Sequence, residues 1–481
     1  MTLAALWHSA WELVAWWAYW VGEAIGIAFI PIILASRRIP QAKIAWILGV
    51  LGFPWIGAFF YLTIGRHTFV RKVLRLRGAS ARTFADIDRR HGEAGLVSWR
   101  RHESQLSKDI AHEAERVGAH GPVSGNRFDL LPEGPEAFAA GAEAIRGAKH
   151  HIHLVTYIFK NDPTGRGVLT GLADAARRGV QVRVLYDAIG NVGTQNAFFD
   201  PIRRDGGRVE PFLPGGPLRS QFRSNLRNHR KLLVVDGKVA FTGGMNIGDE
   251  YATGRDWRDL HCRIEGPVVP TLQRVFAEDW HFATGELLDA EAYYPRPEPA
   301  GLVPVQVIES GPDQDDPHAD DLMFSALASA RRSVDIATPY LVPPEPIEQA
   351  LRSAARRGRR VRILLGEFVD HRVVRWATDA YIPRLLDAGV QIWRHPKMVH
   401  SKAVIIDGSW ATMGSINLDA RSLRLNFELN VALPDAPTVE LLTRWFESEL
   451  RASRPVEARD LAASLPLRLA RQAAYLLSPV L

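Results

Sequence analysis

The chain has 481 residues, enough for two or three domains that each bury a core of their own. A formal charge of +6 and a pI near 9.4 lean toward anionic partners: nucleic acid, an acidic membrane surface or a phosphorylated substrate. The single cysteine, Cys262, excludes an intramolecular disulfide framework and suits a reducing compartment.

The first 65 residues stand apart from the rest. Residues 13–35 are apolar apart from Glu23 and are interrupted by Pro31, and residues 44–64 form an uncharged run of 21. That is about the length needed to cross a hydrocarbon core of roughly 30 Å. Seven of the 14 tryptophans fall here (Trp7, Trp11, Trp16, Trp17, Trp20, Trp46 and Trp55), several where interfacial aromatic belts would lie. No basic region precedes the first segment, which argues against a cleaved signal peptide. The expectation is an N-terminal transmembrane helical hairpin within residues 1–75, the alternative being two buried core helices. Its charges conflict. Arg37, Arg38 and Lys43 lie between the spans, and Arg66, Arg71, Lys72, Arg75, Arg77 and Arg82 follow the second. A hairpin cannot keep both groups on one side. The larger cluster favours a cytoplasmic position for the C-terminal portion.

After a polar connector, residues 76–120, the chain reads as two related α/β halves, 121–290 and 291–481. ADAARRGVQVRVLYD at 173–187 aligns without gaps on RSAARRGRRVRILLG at 352–366, each a helix entering a strand. HIHLVTYIF from His151 and SVDIATPYLV from Ser333 supply the strand before each helix. DGGRVEPF from Asp205 and DAGVQIWRH from Asp387 supply a turn and strand after it. The proline-rich stretch 289–304 is the linker between halves. Strand–helix–strand alternation implies a sheet covered by helices, and the repeat length implies duplicated domains about a pseudo-twofold axis.

Each half closes on one pattern: NHRKLLVVDGKVAFTGGMN from Asn228 and VHSKAVIIDGSWATMGSIN from Val399. His229, Lys231 and Asp236 are matched by His400, Lys402 and Asp407. Gly243, Gly244 and Asn246 are matched by Met413, Gly414 and Asn417, with a one-residue shift allowed. Strand alternation puts each His and Lys on one face. Asp236 and Asp407 belong to the catalytic candidates by position, yet each opens a turn and looks like a brace for it. Further on, DLHCRIEGPV from Asp259 falls on ELNVALPDAP from Glu428, so each half supplies one more acid.

If the two motifs meet, two imidazoles and two ammoniums converge on one pocket. Lys231, Lys402, Asn246 and Asn417 then make a receptor for a phosphate diester. One imidazole attacks phosphorus while the other passes a proton to and from the alcohol oxygens. Asp259 and Glu428 are placed to orient the imidazoles. No metal or other cofactor is needed, because the lysines bring the charge.

Two copies of HxKxxxxD, each followed by Gly/Ser-x-Asn, resemble the phospholipase D superfamily. The N-terminal RRIPQAKIAWILGVLGFPWIGAFFYLTIGR, the NHRK lead-in, TPYLVP, RSLRLNFELN and the terminal AYLLSPVL resemble its bacterial cardiolipin synthase branch, over nearly the whole chain. The resemblance implies transfer between two phosphatidylglycerol molecules, giving cardiolipin and glycerol, at a bacterial inner membrane. It implies His229 as the nucleophile of a phosphatidyl-histidine and His400 as acid then base, the two halves being otherwise symmetric. One departure stands out: Leu154-Val155-Thr156-Tyr157-Ile158 replaces the usual Leu-Glu-Tyr-Tyr-Ile.

Several rivals stay open on the residues alone. Water in place of the acceptor alcohol would make a phospholipase D releasing phosphatidic acid. A nuclease on the same fold is disfavoured by the membrane segment and by the lack of aromatic–basic interleaving, so no nucleic-acid partner is expected. An inactive lipid-binding scaffold is the third. His150, His151 and His153 lack further metal-type ligands and read as surface or packing residues. Arg356, Arg357, Arg359 and Arg360 read as cations at a helix C-terminus. The C-terminal LPLRLARQAAYLLSPVL is amphipathic and either lies on the bilayer or docks on the second half.

Overall fold

The computed structural model describes residues 3–36, 40–63, 104–116, 120–213, 226–312 and 318–478. Arg37 and Arg38, the cluster from Arg66 to Arg82, and residues 76–103 of the connector lie outside the described residues.

The chain separates into two units, the N-terminal segment and the remainder. In the first, α1 (Leu3–Leu34) contains a stretch, Trp16–Leu34, long and apolar enough to cross a membrane. The second expected span differs. Its described residues, 44–63, fall in two helices, α2 (Pro40–Gly52) and α3 (Pro54–Thr63), broken at Phe53. Pro54 offers no amide hydrogen and permits the turn. The helices fold back on one another: an ideal Cβ on Gly57 would stand 2.4 Å from the Gly49 carbonyl oxygen, and the Tyr61 ring lies 5.3 Å from that of Trp46. Against α1, Trp55 Nε1 donates to the Ala18 carbonyl at 3.1 Å and Lys43 Nζ to that of Leu34 at 2.8 Å. The absence of charge over 21 residues marks the stretch as apolar but says nothing of its direction.

The remainder is built on one mixed sheet of 15 strands. The first half contributes β1 (Val123–Leu131), β2 (His151–Thr156), β3 (Gln181–Asp187), β4 (Arg208–Phe212), β5 (Leu232–Val235), β6 (Val239–Gly243) and β7 (His261–Glu265). The second contributes β8 (Val303–Ser310), β9 (Ser333–Ala337), β10 (Arg360–Gly366), β11 (Gln391–His395), β12 (Ala403–Ile406), β13 (Trp410–Gly414) and β14 (Glu428–Leu433). Reading outward from the middle, the order β1-β7-β6-β5-β2-β3-β4 is repeated by β8-β14-β13-β12-β9-β10-β11. β1 pairs antiparallel with β8, Val123 opposite Val305, so the sheet runs unbroken through the pseudo-twofold axis. Beyond β11 a two-residue strand at Arg454–Pro455 ends the sheet.

Helices cover both faces. α5 (Gly134–Gly147) and α6 (Pro163–Arg177) pack the first half's apolar core, with α7 (Val269–Thr284) opposite. α8 (His318–Ala328), α9 (Glu345–Arg356) and α11 (Ala436–Arg451) repeat the arrangement, and α10 (Arg372–Asp387) stands where the first half has only a short helix, Asp200–Arg204. Both Ala-Arg-Arg-Gly helix ends occur as expected, with Gly179 and Gly358 at φ of 87° and 78°. Part of the connector is ordered: α4 (Gln105–Arg116) buries Ile110 and Ala114 in the second half's core. His151 and His153 are fully buried, bound to Gln273 of α7, and His153 stacks on Phe276 at 8°, which is the packing role. The C-terminal α12 (Leu465–Leu476) docks on α10 through Tyr475, 5.0 Å from Tyr381, and leaves Leu465, Leu469 and Leu476 exposed.

Candidate active site

Each motif enters the sheet through an extended approach held by the opposite half. The His229 amide donates to the Phe427 carbonyl at 2.9 Å, and the His400 amide to the Arg258 carbonyl at 2.7 Å. Phe427 and Arg258 immediately precede the two candidate acids. Alternation turns Asn228 and Arg230 the other way, where Asn228 Nδ2 and Arg230 Nη1 each donate at 2.8 Å to Asp279 of α7. Arg230 is fully buried and also donates to the carbonyls of Glu428 and Ser310, tying the halves together behind the imidazoles. The signal for this clamp was present: a cation on the inner face of a strand must be paired.

The acids cross over. His229 Nδ1 lies 2.9 Å from Glu428 Oε2, and His400 Nδ1 lies 2.7 Å from Asp259 Oδ2. Each imidazole of one half is therefore oriented by a carboxylate of the other, and the repeated motifs share one site. An ionised carboxylate can only accept, so it holds the proton on Nδ1 and leaves the lone pair on Nε2 to act as base or nucleophile; in His400 that nitrogen lies 3.1 Å from Lys402 Nζ. The two pairs are not identical. Glu428, the longer acid, leaves room for Ser415, whose hydroxyl donates to it at 2.5 Å. Asp259 is shorter and approaches closer, and the equivalent residue is Gly244, where a Cβ would fall 2.1 Å from Asp259 Oδ1.

Lys231 Nζ donates to the His229 carbonyl at 2.6 Å, and Lys402 Nζ sits 2.8 Å from His400 Nδ1. The Tyr157 ring packs 4.9 Å from His229; Tyr251 and Trp257 pack 5.3 and 5.1 Å from His400. Nothing in the motif spacing pointed to these aromatic walls. Both imidazoles and both ammoniums are buried. Desolvation, with the nearby lysines adding to it against the acids' pull, lowers His229 and His400 to about 4. Desolvation also lowers Lys402 to about 8, against the attraction of Asp259 and Glu428, and pushes Lys231 well down. Burial alone would raise the acids, but the imidazoles and lysines outweigh it and hold Asp259 and Glu428 below their usual range. At neutral pH the site therefore holds neutral imidazoles, ionised carboxylates and a charged Lys402.

Asp236 and Asp407 do not belong to the reacting group, which corrects their place among the catalytic candidates. They lie five residues beyond the lysines, about 16 Å along a strand. Both adopt left-handed φ, 55° and 56°, and bind backbone amides at the start of the neighbouring strand. Asp236 accepts from Lys149, His150 and His151, and Asp407 from Arg331, Arg332 and Ser333. The glycine match is corrected by one residue: Leu232 faces Thr242 as Ala403 faces Met413, so Gly243 is equivalent to Gly414, not Met413, and Gly244 to Ser415. Gly243 and Gly414 have φ of 153° and 158°, and a Cβ on either would fall 2.3 Å from a carbonyl of the acid-bearing segment. Asn246 is buried, donating to Tyr251 Oη at 2.8 Å and accepting from the Ile158 amide; Asn417 is buried with Oδ1 unpartnered. Val155, the departure from the resembling sequences, is fully buried in β2.

Known proteins match this architecture along its length. The family described as "Cardiolipin synthase, PLD-like domain" matches residues 142–280 and 323–450, and the "Phospholipase_D-nuclease N-terminal" family matches 24–66. The cardiolipin synthase of Geobacillus thermodenitrificans (strain NG80-2) is 37% identical over 96% of this chain and 95% of its own length. That of Geobacillus kaustophilus (strain HTA426) is 36% identical over 100% and 97%. Among solved structures, phosphatidylserine synthase of Haemophilus influenzae Rd KW20 shares the fold with a TM-score of 0.59 at 16% identity, covering 78% of this chain and all of that one. Doubled motifs, crossed imidazole–carboxylate pairs and full-length similarity converge on one assignment: the chain belongs to the cardiolipin synthase family of phospholipase D-like proteins.

Proposed function

We propose that this protein is a phosphatidyltransferase that joins two phosphatidylglycerol molecules into cardiolipin and releases glycerol. The observation that carries the reading is the crossed pair of carboxylate-oriented imidazoles in a buried site that also holds Lys231 and Lys402. Lys231, Lys402 and Asn417 hold the diester phosphate, and Asn246 fixes the loop carrying Tyr251. His229 Nε2 attacks phosphorus; the bond to the glycerol oxygen breaks and that oxygen takes a proton from His400. The neutral His400 then removes the proton from a hydroxyl of the second phosphatidylglycerol. Its oxygen attacks phosphorus and the bond to His229 breaks. Because burial keeps His400 unprotonated at neutral pH, the anionic diester must draw a proton onto it as it binds. Purified protein given labelled phosphatidylglycerol is expected to yield cardiolipin and glycerol in equal amounts; phosphatidic acid without cardiolipin would replace this reading with hydrolysis.

Membrane attachment follows from the N-terminal unit. In our reading α1 crosses the bilayer once, its apolar stretch Trp16–Leu34 being about 28 Å long. α2 and α3 enter and return on the side of Leu34, reaching about 20 Å to the level of Ala18 and Gly22. This resolves the charge conflict, since Arg37, Arg38, Lys43 and the cluster from Arg66 to Arg82 then share one face, the cytoplasmic one, with the catalytic portion. In a Cys262→Ser background, Ser36→Cys and Thr68→Cys are expected to react with an impermeant maleimide from the same side. Labelling from opposite sides would restore a second span.

A further inference from the structure

The two halves repeat their backbone but not their interior. Between α5, α6 and the sheet, the first half forms a half-open cavity of about 260 Å³ walled mainly by apolar groups. Lys231 and Asn246 belong to its lining, as do Arg146 and Asp174 of the flanking helices. The matching space of the second half, bounded by Ile336, Lys402, Val404 and Ile416, is about 10 Å³. One residue contributes to the difference. Met323 of α8 lines the second space. It stands eight residues before Arg331, whose amide binds Asp407; eight residues before Lys149, whose amide binds Asp236, stands Gly141. The first half has no side chain where the second has a methionine.

We infer that the first-half cavity is an acyl-chain pocket, taking one chain of the phospholipid whose phosphate lies at Lys231. The inference rests on the proposed lipid substrate and adds where its tail goes. Three observations select that occupant. The space is continuous with the phosphate-binding lysine, so whatever fills it is joined to the phosphate or lies against it. The walls offer an aliphatic chain contact along Leu154, Leu233, Phe241 and Met245 and few hydrogen-bonding groups, which suits methylenes and not a headgroup. The volume holds on the order of nine groups the size of water, at about 30 Å³ each, the scale of a run of methylenes. The pocket also breaks the symmetry of the motifs. A phosphatidyl group anchored in the first half keeps its tail in place while glycerol leaves and the second lipid arrives on the other side.

The test copies the second half into the first. A Cβ on Gly141 meets only Leu233 Cδ2, at 3.9 Å, so Gly141→Met is sterically admissible and removes a helix-interior glycine. Consumption of labelled phosphatidylglycerol, whatever the product, is measured in mixed micelles with dihexanoyl and with dipalmitoyl chains. The expected result is a fall of about tenfold or more in kcat/KM for the long-chain lipid, with the short-chain value within twofold of the parent. An equal loss on both lipids, or no loss on either, would overturn the pocket. Product identity is scored separately: phosphatidic acid with the chain-length effect intact would refute the transferase reading and leave the pocket standing.

Discussion

His229→Ala is expected to lower cardiolipin formation by about 10⁴-fold or more, and no covalent phosphatidyl-enzyme should form with any donor. His400→Ala is expected to lose as much with phosphatidylglycerol but to retain the first step with a donor whose leaving group needs no proton. The magnitude follows from removing a nucleophile, or a proton donor acting in the same step, from a site whose remaining parts only bind. The asymmetry follows from role. From a p-nitrophenyl ester of phosphatidic acid the p-nitrophenolate departs as a stable anion, so a burst of p-nitrophenol in the absence of acceptor reports attack alone. A burst from His400→Ala and none from His229→Ala supports the assigned order. The reverse pattern would exchange the roles, and bursts from both would remove imidazole attack altogether.

The sequence exposed this chemistry because its carriers are close neighbours: His229 and Lys231 share a strand face, and so do His400 and Lys402. Asp259 and Glu428 were reachable through the register of the repeat, whereas their exchange was not. The contact of His229 with Glu428 spans 199 residues and that of His400 with Asp259 spans 141, and pattern within a half cannot say which half completes it. The one-residue ambiguity at Gly243 had a different origin. Side-chain type alone placed the glycines, while the backbone requires glycine only where φ reaches 153° and the acid-bearing segment passes within reach of a Cβ. Residues 44–64 misled because hydropathy sums over a window and is blind to direction; Gly52, Phe53 and Pro54 hold the turn. Asp279 went unseen because its partners Asn228 and Arg230 lie 51 and 49 residues away, Tyr251 because its ring meets His400 of the other half, and the pocket at Gly141 depends on how far apart two helices stand.

Glu428→Gln and Asp259→Asn are the sharper test of the crossed architecture, each expected to lower cardiolipin formation by about 10³- to 10⁴-fold. An amide in place of a carboxylate can present its own N–H to Nδ1 and stabilise the wrong tautomer, which deprives Nε2 of its lone pair. If Glu428 serves His229, Glu428→Gln should abolish the p-nitrophenol burst although His229 itself is intact and 199 residues away. If Asp259 serves His400, Asp259→Asn should keep the burst and fail only when a poor leaving group must be protonated or an acceptor hydroxyl deprotonated. The Ser415 hydroxyl and the Glu428 carboxylate form one buried chain with His229, so Ser415→Ala should weaken the burst only mildly, since the carboxylate keeps its direct bond to Nδ1. The opposite distribution, with Asp259→Asn losing the burst and Glu428→Gln retaining it, would mean that each acid acts within its own half. The shared site would then separate into two independent ones.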